Sequence, residues 1–425
     1  MNQSFILKGN ICYSSSKEEL TCRRDSYLVC VNGISQGVFS EVPEEFKELE
    51  LVDYGDALIV PGMTDLHVHA PQYTFRGTGM DLELLQWLDT YTFPEEAKYE
   101  DLNYADKAYD IFVGDLKQCA TTRAVLFATR HTDATVLLMD KLEESGLKTY
   151  VGKVNMDRNS SDSLSEMTAE NSLEATRKWL EAAFSKYEST KPILTPRFIP
   201  SCSDALMEGL SQLRDQYHLP VQSHLSENPS EIEWVKELCP WSSCYGDAYD
   251  KFHMFGGDTN CVMAHCVYSK EEELKLLKQG NVYVAHCPQS NINLSSGIAP
   301  IRKMMDMDLL VGLGTDVAAG ANLSLFRCIT DAIMVSKLYW RLVDQSQKPL
   351  TFAESFYLAT KGGGSFFGKV GSFEKGYELD ALVLNDEKMR TARDFDLKER
   401  LERYMYLAEE KGEIAAKYVA GQKIF

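Results

Sequence analysis

Two histidines one residue apart close an apolar stretch in the first part of the chain. His67 and His69 lie in the segment DLHVHA, directly after the residues ALIVPGMT. In a β-strand, residues i and i+2 point to the same face, so both imidazoles would project towards one point. Such a pair is compatible with a metal site and also with two unrelated polar residues at a strand end. The other polar residues of the chain decide between these alternatives.

Three further candidate ligands end other apolar runs. His224 ends the run PVQSH, His265 ends TNCVMAH and Asp316 ends LLVGLGTD. A zinc ion binds three or four converging donors, and neutral imidazole together with carboxylate suits it. We expect His224 and Asp316 to join the histidine pair as ligands. His265 is either another ligand or the residue that holds the metal-bound water. The joint pattern favours a metal site far more strongly than the pair alone.

A carboxylate close to one of these histidines supplies a candidate acid–base group. Glu227, in the segment SHLSEN, comes three residues after His224. Zinc lowers the pKa of a bound water towards ~7, so Asp316 could take a proton and Glu227 could carry one to the substrate and leaving group. The alternative is a glutamate that only stabilises the start of a helix through the helix dipole. Beside a predicted ligand, we favour the catalytic role.

The apolar runs that end in these residues alternate with helical segments. Eight runs occur in the middle of the chain: ALIVPGMTDLHVH, TRAVLFATRH, KTYVGKV, PILTPRF, PVQSH, TNCVMAH, NVYVAH and LLVGLGTD. Eight parallel strands, each followed by a helix, are typical of an α/β fold with a TIM-type (β/α)8 barrel. The active site of such a barrel lies at the carboxyl ends of its strands. Six of the eight histidines of the chain lie at these predicted ends.

The two ends of the chain have a different pattern. FILKGNICY, YLVCVNGI and QGVFSEV indicate short strands before the barrel, and LDALVLND and GQKIF indicate strands after it. We expect residues 1–58 and 366–425 to form one small β-sandwich domain beside a hydrolase barrel of residues 59–365. The segment DLKERLERYMYLAEEKGEIAAKYV is charged and helical in pattern, and we expect an exposed helix there.

The composition excludes several classes of partner. The chain of 425 residues is 44% hydrophobic and 25% charged, with a net charge of −19, so a nucleic-acid backbone would be repelled. No apolar run approaches the roughly 18 residues of a membrane span, and no signal-peptide pattern opens the sequence. Eleven scattered cysteines indicate reduced thiols. We therefore expect a cytoplasmic protein with neither nucleic-acid nor membrane partners.

Several segments together resemble a known family. PGMTDLHVHAPQY, TPRF, SHLSEN, AHC, HCPQSN and GLGTDVAAG are similar to the amidohydrolase superfamily and, within it, to the guanine deaminases. HAPQY and DLELLQWLDTYTFPEE are the segments most particular to that family. The resemblance implies one zinc ion per chain, a homodimer, and hydrolytic deamination of guanine to xanthine and ammonia.

The resemblance also assigns residues. It implies that the zinc ligands are His67, His69, His224, His265 and Asp316, that Glu227 is the proton shuttle, and that Gln72, Arg197, Phe198, His224, Glu227 and Asp316 contact the purine. Arg197 can donate to the O6/N7 edge of guanine, and Gln72 can both donate and accept. The alternatives are an ordinary salt bridge for Arg197 and core packing for Phe198. His286 and Asn291 belong to the family pattern without a firm role.

Three competing functions remain open. Another deaminase of this superfamily, acting on a different purine, pyrimidine or triazine ring, would share every ligand. A two-metal cyclic amidase would need a bridging carboxylated lysine on the fourth strand, where this chain has Arg197, while Lys153 ends the third. A non-catalytic barrel is disfavoured because the chain keeps all the ligands. We expect His131 and His253 to be structural.

Overall fold

The computed structural model describes residues 4–161 and 163–425. The strands in these residues are β1 (Phe5–Ser14), β2 (Leu20–Val31), β3 (Ile34–Phe39), β4 (Glu50–Pro61), β5 (Met63–His69), β6 (Thr121–Phe127), β7 (Lys148–Gly152), β8 (Val154–Asn155), β9 (Thr190–Pro192), β10 (Thr195–Pro196), β11 (Val221–Leu225), β12 (Cys261–His265), β13 (Tyr283–His286), β14 (Leu310–Leu313), β15 (Ala381–Asn385), β16 (Glu413–Val419) and β17 (Gln422–Lys423).

The α-helices in the same residues connect these strands. They are α1 (Leu84–Trp87), α2 (Phe93–Ala97), α3 (Leu102–Gln118), α4 (Thr132–Ser145), α5 (Ala169–Ala183), α6 (Asp204–Tyr217), α7 (Pro229–Leu238), α8 (Tyr245–Asp250), α9 (Glu271–Gln279), α10 (Pro288–Asn293), α11 (Ile301–Asp306), α12 (Leu325–Leu342), α13 (Phe352–Tyr357) and α14 (Leu397–Lys411). The α/β class predicted from the sequence is confirmed. Among the described residues, no helix has both the length and the apolar character needed to cross a bilayer.

The central strands are parallel and form two four-stranded sheets, in the orders β5-β6-β7-β9 and β11-β12-β13-β14, with a short pair β8-β10 beside them. A parallel bridge joins Leu194, between β9 and β10, to Val221 of β11 and so brings the margins of the two larger sheets together. At the opposite margins, the amide of Asp316 donates to the carbonyl of His67 at 2.8 Å, and the amide of His69 donates to Val317 at 3.1 Å. The ends of β5 and β14 are therefore neighbours.

Burial and helix capping explain these elements. Every residue of β5 and β6 is buried, as is typical of parallel strands covered by helices. The helix α7 begins directly after SHLSEN, where Asn228 and Glu231 form a capping box around Pro229. This cap fixes the backbone that carries Glu227. Strand ends and helix starts thus meet on the side where the candidate ligands lie.

Both ends of the chain contribute to one seven-stranded sheet, in the order β17-β16-β15-β4-β1-β2-β3. Strands β1 and β4 run parallel, and the other neighbours are antiparallel. This sheet has its own apolar cluster, which includes Phe5, Leu7, Ile11, Leu28, Ile59, Phe373, Val383 and Tyr418. Strands from both terminal segments therefore combine in one sheet.

The first predicted strand is divided in two. ALIVPGMTDLHVH breaks at Gly62, where β4 ends in the terminal sheet and β5 begins in the parallel sheet. The amide of Gly62 donates to Asp380 at 3.0 Å, and a Cβ atom at this position would lie 2.4 Å from the Thr122 side chain. Only glycine allows this close approach. The prediction of a single strand was wrong because the apolar residues continue without interruption where the chain passes from one sheet to the other.

The predicted C-terminal helix is also shorter than expected. The helix α14 ends at Lys411, and the following residues form strand β16. Leu401, Tyr404 and Met405 of this helix are buried, so only one face is exposed. The prediction of an exposed helix through the segment EIAAKYV was wrong because the alternation in this segment places Ala416 and Tyr418 in the core of the terminal sheet.

Candidate active site

Five side chains bring nitrogen and carboxylate oxygen atoms together at the ends of the parallel strands. The Nε2 atom of His69 lies 3.2 Å from that of His67 and 3.3 Å from that of His224. Asp316 Oδ1 lies 3.2 Å from His67 Nε2 and 3.4 Å from His69 Nε2. His265 Nε2 lies 3.7 Å from Asp316 Oδ2. We call these five residues the metal-ligand cluster.

The chemistry of this cluster fits a bound cation. Two trios within it have ligand atoms that all lie within 4.8 Å of one another: His67, His69 and His224, and His67, His265 and Asp316. Burial and the neighbouring His67 lower the pKa values of His69 and His224, which favours the neutral imidazole that binds metals. Neutral imidazole nitrogens with one carboxylate form the donor set that suits Zn²⁺. The expected ligands are therefore all brought together.

Hydrogen bonds from the opposite ring nitrogens orient two of the histidines. His224 Nδ1–H donates to the backbone carbonyl of Arg197 at 2.7 Å. His265 Nδ1–H donates to Asn291 Oδ1 at 2.9 Å. Both bonds leave Nε2 without a proton and directed into the cluster. Asn291, to which the sequence assigned no firm role, thus contacts a candidate ligand directly.

Two carboxyl groups beside the cluster have pKa values shifted in opposite directions. Burial opposes ionisation of Asp316, but the imidazoles of His67, His265 and His69 outweigh it and hold the pKa of this carboxyl well below its usual range. Burial, and then the charge of Asp316, raise the pKa of Glu227 well above its usual range. Glu227 Oε2 lies 3.4 Å from His265 Nε2. One carboxylate can therefore accept a proton while the other holds one to donate.

The backbone around these groups is strained and strongly anchored. Ser226, His265 and Asp316 have φ values of 48°, 74° and 47°, in the left-handed region that non-glycine residues seldom occupy. The buried Asp65 ties the two adjacent strands together by accepting hydrogen bonds from the amides of His67 at 3.2 Å and Thr315 at 3.0 Å. These bonds hold the strained ends in position.

A second group of polar side chains forms another part of the wall of the same cavity, which Gln72 and Arg197 line directly. Glu96 accepts two hydrogen bonds from the Arg197 guanidinium, at 2.6 and 3.2 Å, and one from Gln72 Nε2 at 2.9 Å. Gln72 Oε1 accepts from the amide of Ala318 at 3.3 Å. We call Gln72, Glu96 and Arg197 the recognition cluster. The salt bridge considered for Arg197 is present, yet its side chain still lines the cavity.

Apolar side chains complete this wall. Phe198 lines the cavity and contacts Trp234 edge to face, with ring centroids 6.0 Å apart. Three residues of the segment DLELLQWLDTYTFPEE also line the cavity: Leu84, Trp87 and Leu88. A cavity lined by aromatic and aliphatic groups, with a few fixed polar atoms, is typical of sites for small ring-shaped ligands.

Two buried glutamates at the site were not selected from the sequence. Glu96 is one of two adjacent carboxylates, and no spacing distinguishes it from its neighbour. Glu231 accepts hydrogen bonds from the amide of Glu227 at 3.1 Å and from the Tyr245 hydroxyl at 2.7 Å. Burial and the nearby Glu227 raise the pKa of Glu231 to about 7. The motif SHLSENPSE could have indicated a capping role for Glu231, but not its position at the cavity.

The other polar residues singled out from the sequence lie outside the metal-ligand cluster. Lys153 is buried in an ion pair with Glu166, so its amine is engaged away from these histidines. His286 is buried, and neither of its ring nitrogens has a partner among the residues that the structure describes. His131 precedes α4 as its N-terminal cap residue, and the His253 carbonyl accepts a hydrogen bond from Arg214.

Comparison with known proteins agrees with this geometry. Residues 58–422 match the model of the amidohydrolase family. The chain is 37% identical over 442 residues to the guanine deaminase of Homo sapiens, covering 99% of this chain and 96% of the human protein. It is also 37% identical over 410 residues to the guanine deaminase of Dictyostelium discoideum, covering 94% of this chain and 88% of that protein.

A solved structure extends the likeness to the whole fold. The crystal structure of guanine deaminase from C. acetobutylicum, with guanine bound in its active site, superposes with a TM-score of 0.96. That protein is 48% identical, and the match covers 99% of this chain and all of the other. The ligand geometry, the family model and the full-length relatives agree, and the chain belongs to the amidohydrolase family and, within it, to the guanine deaminases.

Proposed function

We propose that the protein hydrolyses guanine to xanthine and ammonia with one Zn²⁺ per chain. The observation that carries this proposal is that residues of the metal-ligand cluster and of the recognition cluster line one cavity. His67, His69, His224, His265 and Asp316 would hold the zinc. When bound, zinc lowers the pKa of a water and makes it a nucleophile at neutral pH.

The carboxyl groups supply the proton transfers. Asp316, ionised at neutral pH, accepts the proton that the attacking water loses. Glu227, held protonated, donates to a ring nitrogen as C2 of guanine becomes tetrahedral. It then takes over the proton held by Asp316 and passes it to the exocyclic amine. As the C2–N bond breaks and ammonia leaves, the proton of the C2 hydroxyl returns to Glu227 and C2 becomes the carbonyl of xanthine. His265 holds the nucleophile in place, and its bond to Asn291 fixes the ring.

The recognition cluster positions the base. Arg197 can donate to the O6/N7 edge, as arginine does when it reads guanine in DNA. Gln72 offers both a donor and an acceptor, which a base with mixed edges requires. Phe198 contributes an aromatic surface, and His224, Glu227 and Asp316 face the reacting carbon. The two-metal cyclic amidase is disfavoured because Lys153 is paired with Glu166 and Arg197 with Glu96.

The architecture that we propose for this activity is a TIM-type (β/α)8 barrel of residues 59–365. The hydrogen bonds between β5 and the end of β14, and the bridge between Leu194 and Val221, support its closure. Residues 1–58 and 366–425 would form the small β-sandwich domain, of which residues 1–3 lie outside the described part. The separate apolar cluster of the terminal sheet supports this division. We also propose that the protein is a homodimer located in the cytoplasm.

Ammonia release from guanine, adenine, cytosine and 8-oxoguanine tests the proposal, with metal content measured on the same sample. Turnover of guanine alone, with about one zinc per chain, is the expected result. Turnover of a different base with one zinc would keep the reaction type and overturn the substrate. Two metals per chain and no ammonia would overturn the deaminase and favour the cyclic amidase.

A further inference from the structure

Glu96 occupies a position that neither the motifs nor the proposed chemistry explains. Its carboxylate is buried behind the cavity and contacts both polar residues of the recognition wall. We propose that Glu96 is the positioning residue that sets specificity for purines with an oxygen at C6. This inference rests on the proposed function, because it concerns how the same cavity selects its base.

The carboxylate fixes the direction of every polar group it touches. An ionised carboxylate only accepts hydrogen bonds, so Gln72 must turn its Nε2 towards Glu96 and its Oε1 towards the amide of Ala318. The paired bonds to Arg197 hold the guanidinium in one plane. Without Glu96, the Gln72 amide could turn over and the arginine could rotate.

The N–H groups of Arg197 that do not bond Glu96 remain available to donate hydrogen bonds to the substrate. Arg197 uses two of its five N–H groups in hydrogen bonds to Glu96, and the others can donate elsewhere. Fixed donors match ring nitrogens and a carbonyl oxygen, whereas an amino group at the same position would bring donor against donor. A site whose buried polar groups would be left unpaired discriminates strongly between such substrates. By fixing the orientation of Arg197, Glu96 would therefore favour a purine with an oxygen at C6.

The same segment shapes the apolar part of the wall. Glu96 and Phe93 lie on α2, and the Arg197 guanidinium carbon lies 5.2 Å from the centroid of the Phe93 ring. A short π-helical turn, Leu88–Thr92, joins this helix to α1, which carries Leu84 and Trp87 into the cavity. Such π turns are frequent at functional sites. One segment thus supplies both the apolar surface and the anchor for Arg197.

The test compares guanine with 2-aminopurine, which has the same amine at C2 but no oxygen at C6. For Glu96→Gln we expect kcat/KM for guanine to fall about 100-fold, mostly through KM, because the donors lose their fixed direction. The inhibition constant of 2-aminopurine should change less than about threefold, because this compound has no oxygen at C6 and keeps only the N7 acceptor of the edge that Arg197 contacts. A general structural defect would weaken both compounds equally, and that result, or an unchanged kcat/KM, would overturn the inference.

Glu95→Gln is the matched control. Glu95 neighbours Glu96 on the same helix, but its carboxylate accepts from Thr74 and Tyr104 and pairs with Lys98, away from the cavity. Its kinetics should stay within about twofold of the parent. If Glu96→Gln does not fold or has no measurable turnover, the same two constants are measured for Glu96→Asp, which keeps the charge but shortens the reach. An equal change for both compounds there also overturns the inference.

The outcome is separable from that of the proposed function. Absence of ammonia from guanine with the unmodified enzyme would overturn the proposed reaction. Normal activity of the unmodified enzyme, together with unchanged specificity of the Glu96 variants, would overturn this inference alone.

Discussion

The two polar clusters at the cavity differ in their electrostatics: one brings lone pairs of electrons together, and the other pairs opposite charges. The metal-ligand cluster directs lone pairs of four imidazoles and one carboxylate at one another over distances of 3.2–3.7 Å. The recognition cluster pairs a buried guanidinium with a buried carboxylate at 2.6 Å and so neutralises itself. The metal-ligand cluster would be completed by the proposed cation, whereas the recognition cluster is completed within the chain.

This difference predicts different consequences of substitution. Changes at the metal-ligand wall should alter metal content or the chemical step. Changes at the recognition wall should alter substrate binding while the metal stays bound. The following variants test that division, starting with the largest expected effect.

Replacement of Glu227 by glutamine should remove the proton shuttle without removing a ligand. We expect kcat to fall by about 10³-fold or more, because general acid–base groups contribute roughly 10²–10⁴-fold. Metal analysis should give the same zinc content as the parent. Glu233→Gln, on the exposed face of the helix α7 that follows Glu227, is the control and should have normal kinetics. A near-normal kcat for Glu227→Gln would refute the shuttle role.

Replacement of Arg197 by lysine tests the recognition wall. Lysine keeps the positive charge opposite Glu96 but lacks the planar fork that makes two bonds to it. We expect kcat/KM for guanine to fall about 100-fold, with unchanged zinc content. Steady-state kinetics and metal analysis check this. Loss of zinc in this variant would contradict the expectation that substitutions in the recognition cluster leave the metal bound.

Replacement of Asn291 by alanine tests the hydrogen bond that orients His265. Removal of such an outer partner typically costs about 10–100-fold in metal affinity or activity. We expect zinc affinity to fall by about tenfold, measured by competition with a chelator, and saturating zinc to restore part of the activity. Unchanged affinity and activity would show that His265 is held by packing alone.

A buried ion pair whose residues do not line the cavity should affect stability and leave catalysis unchanged. Arg123 on β6 donates to Asp380 at 2.8 and 3.0 Å and links the parallel sheet to the terminal segment. Asp380→Asn should lower the free energy of unfolding by roughly 3 kcal/mol, because it removes the buried charged partner of Arg123 and leaves only the partly exposed Glu378 to balance the guanidinium. Denaturant unfolding and kcat of the folded enzyme check this.

Glu378→Gln is the control for that pair. Glu378 also contacts Arg123, but its side chain is 41% exposed, so its loss should cost less than about 1 kcal/mol. A large loss of kcat in Asp380→Asn would show that the terminal sheet shapes the cavity.

The sequence was most informative where chemistry and hydropathy coincide. The carboxyl ends of buried strands carry His69, His224 and His265, and apolar runs that stop at imidazoles indicate both the strand and the candidate ligand. It was least informative where a contact forms over a long distance in the chain. Arg197 and Glu96 are 101 residues apart, and nothing local marks Glu96 as the partner.

Local backbone requirements were also hidden in the pattern. Gly62 divides one apolar run between two sheets because Thr122 leaves no room for a Cβ atom, and Thr122 comes from another strand. Asn291 was visible in HCPQSN, but its bond to His265 depends on how α10 packs beside β12. Composition and spacing can predict which groups react, while packing decides what holds them.

Titration of the metal-free protein with Zn²⁺, followed by ammonia release from guanine, tests the central claim most directly. If one cation in the metal-ligand cluster supports hydrolysis, activity should rise linearly and reach a plateau at about one equivalent of zinc per chain. A plateau at two equivalents, or full activity before any zinc is added, would contradict the account.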